Sequence, residues 1–134
     1  MAGYSRRSLV EKLGIKSHTR IAILNAPRGY RATLGALPPG VRVTSTIRGT
    51  FSFIHVFSRS QAELRSRLAA LLRALEPAGA LWISWPKKSS GFPTDMSEDA
   101  VREIALPSGL VDIKVAAVDG VWSGLKLVRR LRNR

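Results

Sequence analysis

Two lysines, two serines, a glycine and a threonine gather at Lys87, Lys88, Ser89, Ser90, Gly91 and Thr94. Ammonium groups, hydroxyls and unhindered backbone amides are the donors that hold a phosphate or a carboxylate. Their spacing is not that of a Walker loop. A secondary set, Trp85, Asn25, Arg28, Gly29 and Trp122, stands near other loop ends, where an indole can stack on a base or close the edge of a sheet. Trp82 and Trp85 are three apart on one strand and are predicted to face opposite ways, so they form no common stacking platform.

Groups for covalent or acid–base chemistry are scarce. There is no cysteine, and His18 and His55 are the only histidines. Disulfides, thiol nucleophiles and thiolate metal sites are therefore excluded, and no metal site is predicted. Neither histidine has a Ser and Asp arrangement that would suggest a triad. Asp112 and Asp119, seven apart, fall on opposite faces of a continuous strand and make no carboxylate pair. An enzyme acting on an anionic metabolite would have to draw its acid or base from Asp95, Glu98 or His55. No catalytic residue is assigned, and no cofactor is expected.

The net charge is +13, from 22 Lys and Arg against 9 Asp and Glu. Such a field attracts anionic small molecules, acidic partners and polyanions. The Arg-rich face with Arg65, Arg67 and Arg73, and the basic tail over 129–134, allow weak, non-specific nucleic-acid binding through phosphates. No aromatic residues interleave with these cations as a single-strand platform needs. No run approaches the roughly 20 apolar residues of a membrane span, and the start leads into polar sequence rather than a signal core, so a cytoplasmic protein without membrane contact is expected.

The positioning elements follow from periodicity and punctuation. At 134 residues the chain is predicted to be one domain. Ser8 with Glu11 is a capping-box spacing that opens a short helix ended by Gly14. Residues 20–25 carry Ile21, Ala22, Ile23 and Leu24 in succession, as in a strand buried on both faces. A helix over 30–37 follows, broken by Pro38, Pro39 and Gly40. Residues 41–47 read as a strand near the sheet edge, and residues 51–57 as a more central one. Ser60 with Glu63 opens a helix whose Leu64, Leu68, Leu71, Leu72 and Leu75 recur at helical intervals. A turn over 76–79 leads to a strand over 80–85 that Pro86 stops. After the loop 87–94, Asp95 and Glu98 stand in capping relation at a helix closed by Pro107 and Gly109. Two runs, 111–118 and 125–130, suit an antiparallel hairpin. Alternating strands and helices predict an α/β, three-layer Rossmann-like fold: a mostly parallel sheet of about six strands, ending in an antiparallel hairpin, with helices on both faces.

The element order, with Leu75-Glu76-Pro77-Ala78-Gly79-Ala80-Leu81 leading into a late strand, resembles an abbreviated class I methyltransferase fold. A resemblance through most of the chain rests on Lys12-Leu13-Gly14-Ile15, Trp85-Pro86-Lys87-Lys88-Ser89-Ser90-Gly91, Thr94-Asp95, and Gly109-Leu110-Val111-Asp112-Ile113-Lys114-Val115 through Trp122-Ser123-Gly124-Leu125-Lys126. These segments resemble the bacterial domain-of-unknown-function family three thousand and fifty-two, which implies a fold but no established activity. The methyltransferase resemblance implies an S-adenosylmethionine site with several glycines after the first strand and an acidic residue after the second. Here the first loop is Asn25-Ala26-Pro27-Arg28-Gly29 and the second strand ends Ser45-Thr46-Ile47-Arg48. Both anchors are missing. The expected function is a non-catalytic methyltransferase-like module that binds an anionic ligand or partner at the loop 85–94. Non-specific nucleic-acid binding and an enzyme of anionic metabolites are the alternatives.

Overall fold

The computed structural model describes residues 7–134; most of the amino-terminal stretch read for a targeting signal lies outside the described residues. Six strands form one sheet: β1 (Arg20–Leu24), β2 (Arg42–Thr44), β3 (Phe51–Phe57), β4 (Leu75–Pro86), β5 (Leu110–Ala117) and β6 (Trp122–Arg129). Their order is β2-β1-β3-β4-β6-β5. The first four run parallel, and β6 enters antiparallel between β4 and β5. The predicted sheet is therefore present, mostly parallel with an antiparallel end.

The two faces of the sheet bury different residues, as the period of two requires. Ala22, Leu24, Ile54, Val56, Ile83 and Trp85 pack under helices α3 (Gln61–Ala74) and α4 (Glu98–Ala105). Ile21, Ile23, Phe53, Phe57, Trp82 and Trp122 pack under α1 (Leu9–Leu13) and α2 (Tyr30–Leu34). Trp82 and Trp85 thus separate to opposite cores, as their odd spacing predicts.

Local sequence sets most of the boundaries. Ser8 and Glu11 complete a reciprocal capping box, and Gly14 closes α1 at φ 84°, a conformation that suits glycine. The helix expected over 30–37 stops at Leu34 because Gly35 takes over at φ 80°. The edge strand expected over 41–47 is held to three residues: Thr44 Oγ1 donates to Thr46 O and accepts from Thr46 N, folding the chain away from the ladder. At the end of α3 the chain enters β4 directly at Leu75, which pairs with Phe51. Residues 76–79 then bulge before Ala80 pairs with Phe53. Gly124 of β6 lies against β4, where a Cβ would meet Ser84 Oγ at 3.0 Å and Trp82 Cε3 at 3.1 Å, so only glycine permits this approach.

Two expectations need correction. Asp95 does not cap the helix that follows it. Ser97 is the cap of α4 and accepts from Ala100 N, while Asp95 Oδ1 accepts from Gln61 N at 2.9 Å and so caps α3. The parity argument for Asp112 and Asp119 fails because Ile113 is a bulge between Asp112, which pairs with Leu127, and Lys114, which pairs with Lys126. The conclusion survives for another reason. Asp112 is bound to Arg102 at 2.9 Å, whereas Asp119 lies in the hairpin turn and accepts from Val121 N and Trp122 N.

Candidate functional site

The strand order β2-β1-β3 means that the chain leaves β1 toward one edge and then crosses to its other side. In open α/β sheets the carboxyl ends of the two strands at such a reversal open a crevice for ligands. A cleft of about 500 Å³ lies there, within the usual size of a small-molecule site. Asn25 and Pro27 bound it after β1, Phe57 and Arg59 at the end of β3, and Phe92 and Trp122 close the far side.

Aromatic rings make the walls. Phe57 and Trp122 meet edge to face at 5.2 Å between centroids, and Phe92 is tilted against Trp122 at 6.4 Å. The Arg59 guanidinium lies 5.7 Å from the centre of the Phe92 ring. Arg59 is exposed, lines the cleft and has no carboxylate partner among the described residues. At the start of α3 beneath it two amides are already engaged: Gln61 N donates to Asp95 and Glu63 N to Ser60 Oγ. Of the donors at this opening, the Arg59 side chain is therefore freer than the helix terminus.

The loop expected to hold the ligand is split by the structure. Gly91 ends a single 3-10 turn, Lys88–Ser90, at φ 76°, and Phe92 beyond it walls the cleft. Thr94 Oγ1 donates to Arg59 O at 2.7 Å, so Thr94 fixes the backbone that carries the cation. Ser90 Oγ donates to Lys87 O at 2.6 Å, which engages its one proton within the turn. Ser89 is exposed on that turn. Lys87 Nζ donates to Asp119 O at 3.0 Å, and Lys87, Lys88 and Trp85 face a separate hollow of about 280 Å³. Among the secondary residues, Asn25 and Trp122 line the main cleft. Arg28 and Gly29 are exposed, and Gly29 precedes α2 at φ 86°.

Arg59, Phe57, Phe92, Pro27, Ser60 and Glu63 are the cleft residues that sequence reading missed. The signal lay in the end of the central strand, Phe57-Ser58-Arg59-Ser60, but choosing it over the end of β4 needs the strand order.

Beneath the cleft lies a polar chain with no access to it. His55 Nδ1 is 2.7 Å from the Tyr30 hydroxyl, and His55 Nε2 is 2.7 Å from Ser84 Oγ. Both His55 and Ser84 are fully buried, and Phe57 stacks on the imidazole at 4.2 Å. Burial holds His55 down at about 3 and pushes the Tyr30 phenol well above its ordinary value. This serine and histidine touch, and both lie wholly inside the core. Of the other groups an enzyme would need, Asp95 is tied to Gln61 and Glu98 is 2.5 Å from Arg102. The three do not converge. Among the described residues no group of three or more His, Asp or Glu could hold a metal ion, and no helix is long and apolar enough to cross a membrane.

No family model matches the chain, and no curated protein matches it. Solved structures do. The mitomycin 7-O-methyltransferase MmcR superposes with a TM-score of 0.67 at 14% identity, over 84% of this chain and 49% of that one. A SAM-dependent methyltransferase from Aquifex aeolicus gives 0.64 at 16% identity, over 89% of this chain and 86% of that one. DhpI, solved as a complex with SAH, gives 0.64 at 10% identity, over 93% and 83%. This chain spans about half the length of MmcR and most of the other two. Likeness at such identities carries the architecture alone: the chain has a Rossmann-like, methyltransferase-like fold.

Proposed function

We propose that this chain is a methyltransferase-fold binding module without methyl transfer, which takes an anionic small molecule in the cleft between the ends of β1 and β3. The observation that carries this reading is Arg59, an unpaired cation held among Phe57, Phe92 and Trp122 at the reversal of strand order. A guanidinium beside aromatic walls suits a ligand that joins a negative group to a flat apolar body, such as a nucleotide. The resemblance of the quoted segments to the bacterial family named above forms part of the same proposal. The loop 85–94 keeps a role through Phe92 and through Thr94, which anchors Arg59.

S-adenosylmethionine, which the fold neighbours imply, does not fit these residues. Its sulfonium and ammonium groups would enter a site whose forward cation is Arg59 and whose one carboxylate is the exposed Glu63. Its ribose would look for an acidic partner after β2, but the hollow there is lined by Arg31, Thr44 and Ser45 with no carboxylate. One glycine, Gly29, serves the whole first loop. Millimolar affinity or weaker is expected for that cofactor.

A thermal-shift screen of nucleotides, phosphorylated sugars and S-adenosylmethionine tests the reading, since any ligand of the native state raises its melting temperature. Nucleotides are expected to give the largest shifts. Replacing Lys87 and Lys88 together by Ala is the positional control: stability should move by no more than about 0.5 kcal/mol. Nucleotide affinity should fall by less than about threefold, as for the loss of distant charges. A loss of tenfold or more would place the anion on the lysine loop instead.

A further inference from the structure

At the opposite end of the sheet, where the parallel strands begin, a second pocket of about 230 Å³ is bounded by Gly14, Lys16, Thr19, Ser52 and Lys126. Two cations, Lys16 and Lys126, line it, and a third, Lys114, stands beside Lys126. Lys126 of β6 is the register partner of Lys114 on β5, and the Ile113 bulge is what puts them on one face; like charges placed directly opposite repel. Lys114 Nζ stands 6.0 Å from the centre of the Trp82 ring, and Trp82 is in turn the register partner of Lys126 on β4. Lys16 approaches from the turn after α1. None of the three lysines has an ion pair among the described residues, and the pocket lining contains no carboxylate. Burial first, then the charges of Lys114 and Lys16, hold the Lys126 ammonium below its ordinary value.

Ser52, which borders the pocket, carries an unanswered donor. Ser52 Oγ is buried without a hydrogen-bond partner, the single such side-chain atom among the described residues. An unpaired buried hydroxyl is costly, and native structures fill such places with a partner. Thr19 Oγ1 is not that partner, because it donates to Lys16 O at 2.6 Å.

We propose that this pocket is a phosphate-binding site, in which the ammonium groups of Lys16 and Lys126, with Lys114 beside them, hold the anion and Ser52, by turning its hydroxyl into the pocket, donates to one of its oxygens. Clustered cations without acids, a free buried donor and a small volume point together to a compact, multiply charged group. The volume lies below the range of sites that enclose whole metabolites, so it takes inorganic phosphate or the terminal phosphate of a small molecule. Duplex phosphates would meet the exposed ammonium of Lys16 but not the hydroxyl at the pocket floor.

The test uses inorganic phosphate as the probe, in an Arg59→Met background that disables the other cleft. Phosphate raises the melting temperature of most proteins by exclusion from their surface, so the affinity itself must be measured, by calorimetry at constant ionic strength set with sodium chloride. Lys126→Met keeps the side-chain stem and relieves repulsion, so the free protein should melt no lower than its parent. Its phosphate affinity should fall at least tenfold, the loss of one charge-assisted contact. Ser52→Ala should leave the melting temperature equal or higher, because it deletes an unpaired polar atom, and should weaken phosphate several-fold. Either variant binding phosphate as tightly as the parent overturns the site. A duplex oligonucleotide that binds the Arg59→Met protein tightly at physiological salt, and is unaffected by Ser52→Ala, overturns the small-molecule assignment.

Discussion

Trp82→Ala is expected to cost about 3 to 5 kcal/mol of stability, the range for emptying a large aromatic from a core. The indole is wholly inaccessible and packs with Ile21, Phe53, Phe57 and Trp122 on the α1 face of the sheet. Its Nε1–H also donates to Leu13 O at 2.9 Å, which ties the end of α1 to the middle of β4. Truncation therefore removes packing and leaves a carbonyl unpaired. Because Gly124 approaches the ring so closely, the β6 backbone has little freedom to fill the void. Trp82→Phe separates the contributions, keeping most of the apolar volume while losing the hydrogen bond, at about 1 to 3 kcal/mol. Urea unfolding followed by circular dichroism measures both, and a loss below about 1 kcal/mol for the alanine variant would contradict this packing.

Acid should destabilise the protein earlier than its carboxylates alone would, and His55→Gln should remove the excess. Neutral His55 is held between Tyr30 and Ser84, and burial keeps it from protonating until about 3 in the folded state. In the unfolded chain it takes a proton near 6.5. The sign follows directly: between those two values the unfolded state binds the extra proton, so stability falls as pH falls, by about 1.4 kcal/mol per pH unit, and is complete above about 6.5. The range from 6.5 to 5 favours the histidine, because the contribution of Asp112, held low chiefly by its hydrogen bond to Arg102, is lost only as pH falls into and below the ordinary carboxylate range. Glutamine cannot titrate yet still offers a donor and an acceptor to Tyr30 and Ser84. Its stability at neutral pH should be lower than wild type, and its slope from 6.5 to 5 close to flat. A slope equal to that of wild type would mean that His55 is protonated in the folded protein.

These two residues show what was legible in the sequence and what was not. Trp82, in an apolar run stopped by Pro86, could be assigned to the core from periodicity. The polar chain through His55 could not be foreseen, because its partners are 25 residues before it and 29 after it, and only the parallel register of β3 with β4 brings Ser84 beside the ring. The same distinction applies to the cleft. Asn25 and Trp122, loop-end residues in the sequence, both line it. The expectation that ligands gather at carboxyl ends of strands points, in the sequence, to Lys87 and Lys88 after β4; the structure adds a reversal of strand order between β1 and β3, and no local pattern reveals which strands are neighbours. Elements with their own caps, such as α1 with Ser8 and Glu11, were readable to within a residue. Asp95 was misread because its capping target is the start of α3, 34 residues earlier.

In the proposed reading the cleft takes an anion on Arg59 and not S-adenosylmethionine. Calorimetric titration of the nucleotide ranked first in the thermal screen, and of S-adenosylmethionine, into wild type and Arg59→Met tests it most directly. The expected result is measurable nucleotide binding that weakens about tenfold or more in Arg59→Met, the loss of at least one charge-assisted hydrogen bond, with S-adenosylmethionine millimolar or weaker in both proteins. Micromolar affinity for S-adenosylmethionine, or a nucleotide affinity unchanged by the substitution, would contradict it.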